Sequence, residues 1–412
     1  MRKSIFGRAV AASLLGVACL ALAACGGGGG GGSSATSVSS TSSTPAASSP
    51  TVSVQPSQLA NQVPVTIEQN PAETGFVTAN TPYVTVSVCD AVGNCVNVDH
   101  VLVDTMSSGL RIFGSALGSL NLPTPTGASA TAQTECSYFG SGYTWGSVRL
   151  ATVKMAGETA SSIPVQVVAD PSLSSVADPC AGSGSYDYNS AQVLGSNGIL
   201  GVATFLFDGQ AYYDCSSGTC TSITVTHEVG NPVAQFASDN NGVVLSLPAQ
   251  TVQASTATGT LTFGIDTQSD NSQAGYTVVP TSADGQLTAQ FNGGSYPQSI
   301  VDSGSNMDYL YMPGEPTQNL GGVTWISPVQ TTAFPLTLSG PGAGVYASSI
   351  TLTPATNYAR APQPVSPYMA QSSSAASMQD FGLPFFYGRP IAVTFSGKVT
   401  YEGTGPMIGF GS

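Results

Sequence analysis

The sequence predicts an all-β protein with a few short helices, on three observations. Charged residues make up only 8% of the 412-residue chain, too few for the Glu- and Lys-lined outer faces of soluble helices. Ser, Thr, Gly and Pro, the residues of turns and strand ends, are abundant instead. Most patterned segments repeat with a period of two, and helical periodicity is scarce.

The first segment is a leader. Arg2, Lys3 and Arg8 form a basic start, Ala9 to Leu22 is mostly apolar, and Leu22-Ala23-Ala24-Cys25 follows. The apolar run is too short for a lasting transmembrane helix. An ordinary secretory signal cleaved at a small residue is one reading. The other is a resemblance to a bacterial lipobox, because the Cys falls where the apolar run ends. That resemblance implies removal of residues 1–24 and a lipid anchor on Cys25. With Gly26 in place of an Asp after the Cys, it also implies delivery to the outer membrane. Gly26 to Gly32 is unbroken glycine, followed by Ser/Thr/Ala/Pro sequence. Such composition buries no core, so residues 25–60 read as a tether with an r.m.s. span of roughly 30 Å. The formal net charge of −13 offers no basic patch for phosphates and argues against nucleic acid.

Beyond the tether, Tyr83-Val84-Thr85-Val86-Ser87-Val88 and Val96-Asn97-Val98 alternate as strands around a turn-like segment, Asp90 to Asn94. Cys89 and Cys95 flank that turn and read as a stapled hairpin. Cys215 and Cys220 enclose another tight loop, which leaves Cys136 with Cys180. An even set of six cysteines in an exported chain suggests disulfides, although six cysteines allow fifteen pairings. Zinc is the competing reading. Two histidines and no Cys-x-x-Cys pair make it poor, so neither a metal nor another cofactor is expected. Period-two patterning returns at Gly146 to Met155, Gly242 to Leu247 and Gly259 to Gly264.

One phrase occurs twice. Val101-Leu102-Val103-Asp104-Thr105-Met106-Ser107 and Ser299-Ile300-Val301-Asp302-Ser303-Gly304-Ser305 each run an apolar strand into an Asp, a hydroxyl residue and a turn. Alone, Asp302-Ser303-Gly304 is a common turn. Paired, the phrases present two carboxylates from equivalent turns. Like charges held close cannot both ionise, so one serves as acid and the other as base.

On these residues the chain resembles the pepsin-like, two-lobed aspartic peptidases. Cys136-Ser137-Tyr138-Phe139-Gly140-Ser141-Gly142 resembles the flap hairpin, with its spacing shifted by about one residue. Gly198-Ile199-Leu200-Gly201 resembles the segment completing the first active-site loop. Asp380-Phe381-Gly382-Leu383-Pro384-Phe385-Phe386 occupies the second lobe's matching place, with an acidic first residue as a departure. The resemblance covers roughly residues 75 to 412. Together with the lipobox and polyglycine, it is similar to a family of uncharacterised Gram-negative lipoproteins. It implies a first lobe over 75–245, a second over 246–412, and a peptide or protein as substrate or ligand.

Carried over, Asp104 and Asp302 would share a proton and hold the attacking water. Ser107 and Ser305 would support each carboxylate. Thr105 and Ser303 would make hydroxyl-to-backbone contacts between the lobes, and Tyr138 would close over the substrate. Met106 stands where the resemblance places a second glycine beside Gly304. Either its side chain pushes the turn away, tilts Asp104 or takes the water's place, or the turn is shifted with Met106 pointing outward and the pair stays intact. The alternative function is a surface lipoprotein of the same fold that binds a peptide or glycan without cleaving it. His100 and His227 lie in no nucleophile motif, and Asp308 reads as a solvated carboxylate. Nothing in the sequence sets an oligomeric state.

Overall fold

The structure, a computed structural model, describes residues 61–70, 78–125, 133–207, 209–215, 218–225 and 227–412. The expected leader, Cys25 and the tether to residue 60 lie outside the described residues.

The predicted alternation is visible in burial. Along Pro82–Cys89, Val84, Val86 and Val88 are buried while Thr85 is exposed and Ser87 half-buried, the pattern of a strand with one face on the core. It pairs antiparallel with Cys95–Asp104, with Cys89 opposite Cys95 and a disulfide joining them. The turn is held by Asp90, whose carboxylate accepts from the Val92 and Asn94 amides and from Asn94 Nδ2. Disulfides also join Cys136 to Cys180 and Cys215 to Cys220.

Cys95–Asp104 changes character along its length. Its outer half alternates, and its last four residues are all buried. There it lies parallel to Gly198–Val202, placing Gly201 beside Asp104, and Gly198–Val202 in turn pairs antiparallel with the returning strand Ser108–Phe113. A strand covered on both faces needs a continuous apolar run, which Val101-Leu102-Val103 supplies.

The second half repeats this device. Gly294–Val301 ends at the second Asp turn, and Asp308–Leu310 returns. Asp380–Phe381 lies parallel to the first of these and antiparallel to the second. Glycine is required in both short segments because the turn passes directly over them. A Cβ on Gly201 would lie 2.7 Å from Ser107 O, and one on Gly382 would lie 2.6 Å from Ser305 O.

A sixteen-stranded sheet carries the first turn and a nine-stranded sheet carries the second. Six antiparallel strands tie the halves together, in the order Gln62–Ile67, Ala257–Phe263, Gly242–Ser246, Ile391–Thr394, Met407–Phe410 and Thr277–Pro280. Their inward residues, among them Leu245, Leu261, Val393 and Phe410, belong to one apolar core that also holds Val103 and Phe381. Helix is confined to Ala191–Leu194 and short 3-10 turns among the described residues. This is the all-β, two-lobed, pepsin-like architecture expected from the sequence.

Candidate active site

The two Asp turns are locked to each other by their hydroxyl residues. Thr105 Oγ1 donates to Val301 O at 3.0 Å, and Ser303 Oγ donates to Val103 O at 2.7 Å. Each hydroxyl also accepts from the other's amide: Thr105 N to Ser303 Oγ at 3.1 Å, and Ser303 N to Thr105 Oγ1 at 2.9 Å. Four reciprocal bonds, with both hydroxyl residues buried, fix the turns as one unit.

The carboxylates face each other over Gly304. A Cβ on that residue would lie 2.8 Å from Asp104 Cγ, 3.0 Å from Asp104 Oδ1 and 3.1 Å from Asp302 Oδ1. A side chain there would crowd both acids, so glycine is dictated by close approach. Asp104 Oδ1 accepts from the Met106 amide at 2.8 Å and the Ser107 amide at 3.1 Å, and its Oδ2 accepts from Ser107 Oγ at 2.6 Å. Asp302 Oδ1 accepts from the Gly304 amide at 2.8 Å, and its Oδ2 lies 2.9 Å from Ser305 Oγ. Met106 N therefore holds its carboxylate at the same distance as Gly304 N holds the other. The Met106 thioether lies toward the second lobe's turn at Gly285, where a Cβ would be 3.5 Å from its Sδ. Met106 thus keeps its amide on Asp104 while its side chain runs away from the carboxylate toward Gly285.

Asp302 is held well above the usual carboxylate range, first by burial and then by the charges of Asp104 and Asp380, against the Ser305 and Gly304 hydrogen bonds. One of the facing acids thus keeps its proton where an isolated Asp would have lost it. Such a pair can offer an acid and a base to one water molecule.

The second lobe holds acids that the sequence reading did not place in the site. Asp380 is buried, and its Oδ2 lies 2.8 Å from Ser305 Oγ. Burial pushes it up to about 7, with Ser305 opposing and Asp104 adding. Asp308 is only 3% exposed, a correction to its expected solvation. Its Oδ1 accepts from the Gly382 amide at 2.9 Å. Burial and the charge of Asp380 raise it well above the usual range, against that amide and Arg389. Tyr309 ionises higher than an ordinary phenol because of burial first and then of Asp380, Tyr188 and Asp302 around it. The acidic first residue of the Asp380-Phe381-Gly382 segment was the signal that marked this corner.

The flap-like hairpin is formed by Gln133–Tyr138 and Gly142–Met155. Within it, alternation assigns the faces. Tyr138 lies with Tyr143, whose ring centroid is 6.3 Å away, beside the Cys136–Cys180 disulfide. Tyr213 and Asp178 are the charged or phenolic neighbours that raise its ionisation after burial. Ser137 and Phe139 take the opposite face. Ser137 Oγ accepts from Arg111 Nε, and Phe139 lies 5.7 Å from that guanidinium, which also donates to Ser108 O. Tyr138 thus lies on the disulfide side of the hairpin. Phe139 takes the side toward Arg111 on the returning strand Ser108–Phe113. At the hairpin tip, Ser141 Oγ and Tyr188 Oη are 2.6 Å apart, which brings Tyr188 to the site's second-lobe edge.

Cys136, Asp178 and Cys180 lie close enough to suggest a metal cluster, but both sulfurs are in the disulfide and offer no thiolate. His100 sits in the middle of the strand Cys95–Asp104, 3.3 Å from both Glu68 and Asp99.

A family model described as "Protein of unknown function (DUF3443)" matches residues 57–410. No curated protein matches the chain. Among solved structures, the crystal structure of aspartic proteinase from Irpex lacteus is similar over 85% of this chain and 96% of that one. The identity is 18% and the TM-score 0.49.

Proposed function

The chain belongs to the DUF3443 family of unknown function, and we propose that it is an exported, lipid-anchored aspartic-type endopeptidase. Asp104 and Asp302 activate a water for attack on a peptide carbonyl. One takes the water's proton, and the other, still protonated, hydrogen-bonds the developing oxyanion. The observation that carries this reading is the approach of both carboxylates to Gly304 from turns cross-linked by Thr105 and Ser303. Ser107 and Ser305 orient the outer oxygens. Residues 1–24 are a signal, Cys25 carries the lipid, and the stretch to residue 60 spaces the protein from the outer membrane.

The test is cleavage of a peptide library by the full-length lipoprotein in detergent across pH. Mild-acid cleavage, blocked by a pepstatin-like transition-state analogue and abolished by Asp302→Asn, is the expected result. No cleavage at any pH, by the native chain or by Met106→Gly, would overturn it. For the anchor, metabolic labelling with a fatty acid should be lost in Cys25→Ser.

A second reading is favoured by the turning of Tyr138 toward the disulfide. It holds that the cleft binds a peptide or glycan without cleaving it. Under it, a peptide or glycan would bind without forming product, and Asp302→Asn would weaken that binding.

A further inference from the structure

We propose that Asp380 is a third carboxyl of this site and that Ser305 relays a proton between it and Asp302. The proposal rests on the two-carboxylate reading above and deepens it. Its starting point is a count of hydrogens. Ser305 Oγ lies 2.9 Å from Asp302 Oδ2 and 2.8 Å from Asp380 Oδ2. A hydroxyl has one proton to donate, and an ionised carboxylate has none. Two such short contacts are both hydrogen bonds only if one carboxyl is protonated and donates into the serine oxygen while the serine donates to the other. With both acids ionised, one contact would set an anionic oxygen against a hydroxyl lone pair in a buried site.

The arrangement has two equivalent states. In one, Asp380 carries the proton and donates to Ser305, which donates to an anionic Asp302. In the other, the proton sits on Asp302 Oδ2 and Ser305 donates to an anionic Asp380. Passing between them moves one proton from Asp302 to Ser305 Oγ as the serine's own proton passes to Asp380. One carboxyl gains what the other loses, and no net charge appears.

Asp380 has surroundings that suit its neutral form, as the relay requires. Its Oδ1 is buried with no hydrogen-bond partner, which a neutral carbonyl oxygen tolerates better than a carboxylate. The groups facing this corner are mostly acidic or phenolic: Asp104 from the first turn, Asp302 from the second, Asp308 and Tyr309 from the returning strand, and Tyr188 from the flap side. The opposing cation is Arg389, which acts on Asp308. Burial raises both partners, Asp302 well above the usual carboxylate range and Asp380 to about 7, so the pair holds one proton between them through mild acid. The first lobe has no counterpart: there, the residue that pairs one step before Leu200 is the buried apolar Ile199, and Ser107 Oγ serves Asp104. The relay is therefore one-sided. It lets Asp302 become an anion while its proton stays within the site, so a proton is retained at a pH where a carboxylate pair alone would have released it.

The test counts protonated carboxyls directly and does not require catalysis. Difference infrared spectra of the full-length chain would be recorded in the carboxylic-acid carbonyl region from about pH 4 to about pH 8. The native chain should keep a buried acid band that bleaches near neutrality. Asp380→Asn should remove it. Ser305→Ala should move its midpoint upward, since the serine lowers that value, and Ser305→Thr should restore it. Where Asp380→Asn fails to fold, the Ser305 pair decides. Bands unchanged in Asp380→Asn, or in Ser305→Ala, overturn the relay. Where peptide cleavage is measurable, Asp380→Asn should move the alkaline limb of kcat/KM toward acid by about one pH unit or more. Absence of cleavage in the native chain would count against the peptidase reading alone, because the infrared result stands without it.

Discussion

At the scale of single residues, Met106 and Gly304 occupy matching places with different constraints. Both amides hold a carboxylate Oδ1 at 2.8 Å, but only a Cβ at 304 would collide with Asp104. Met106 lies outside the positive-φ set, so its backbone needs no glycine. Met106→Gly should accordingly change kcat/KM less than tenfold while lowering Tm slightly through its lost contact at the Gly285 turn. Gly304→Ala should lower kcat by on the order of a hundredfold or more, since a shift near 1 Å in a reacting group has that effect. Steady-state kinetics of the two variants side by side checks the asymmetry. A comparable loss in both would mean that the turns are not independent in this way.

At the scale of elements, the reciprocal bonds of Thr105 and Ser303 join two strand ends from different sheets. Ser303→Ala would leave the Thr105 amide and the Val103 carbonyl without a buried partner, at about 1–3 kcal/mol each. Chemical denaturation should show that loss, and Ser303→Thr should recover most of it. Elements made by neighbours along the chain were legible in the sequence. The Tyr83 to Val98 hairpin declared itself through alternating valines and its flanking cysteines, and the repeated Asp phrase through its apolar approach. What was not legible depended on pairing across long separations or on phase. Asp380 joins the site only because Asp380–Phe381 lies parallel to Gly294–Val301, about eighty residues earlier. Asp308 is buried because that same segment covers it. The face that Tyr138 takes is a matter of phase, since a shift of one residue in a strand exchanges its two faces.

At the scale of the molecule, the buried acids set a pH dependence on the fold. A carboxyl that holds its proton more tightly folded than unfolded stabilises the protein fully below its unfolded value, and that contribution is lost as pH rises through the folded value. For Asp380 the window runs from 3.8 to about 7, and Asp302 and Asp308 are raised in the same direction. Asp90 acts oppositely, since the Asn94 side chain and turn amides lower it, so its share is lost only as pH falls below 3.8. A net charge of −13 adds self-repulsion on the alkaline side. Thermal unfolding should therefore be latest near about pH 4–5 and should fall by several degrees toward about pH 8. Asp380→Asn should flatten that slope, because the asparagine has no proton to lose across the window. A midpoint that rises steadily from pH 5 to 8 would mean that these acids are ionised in the folded protein, and the shared-proton chemistry at Asp302 would lose its physical basis.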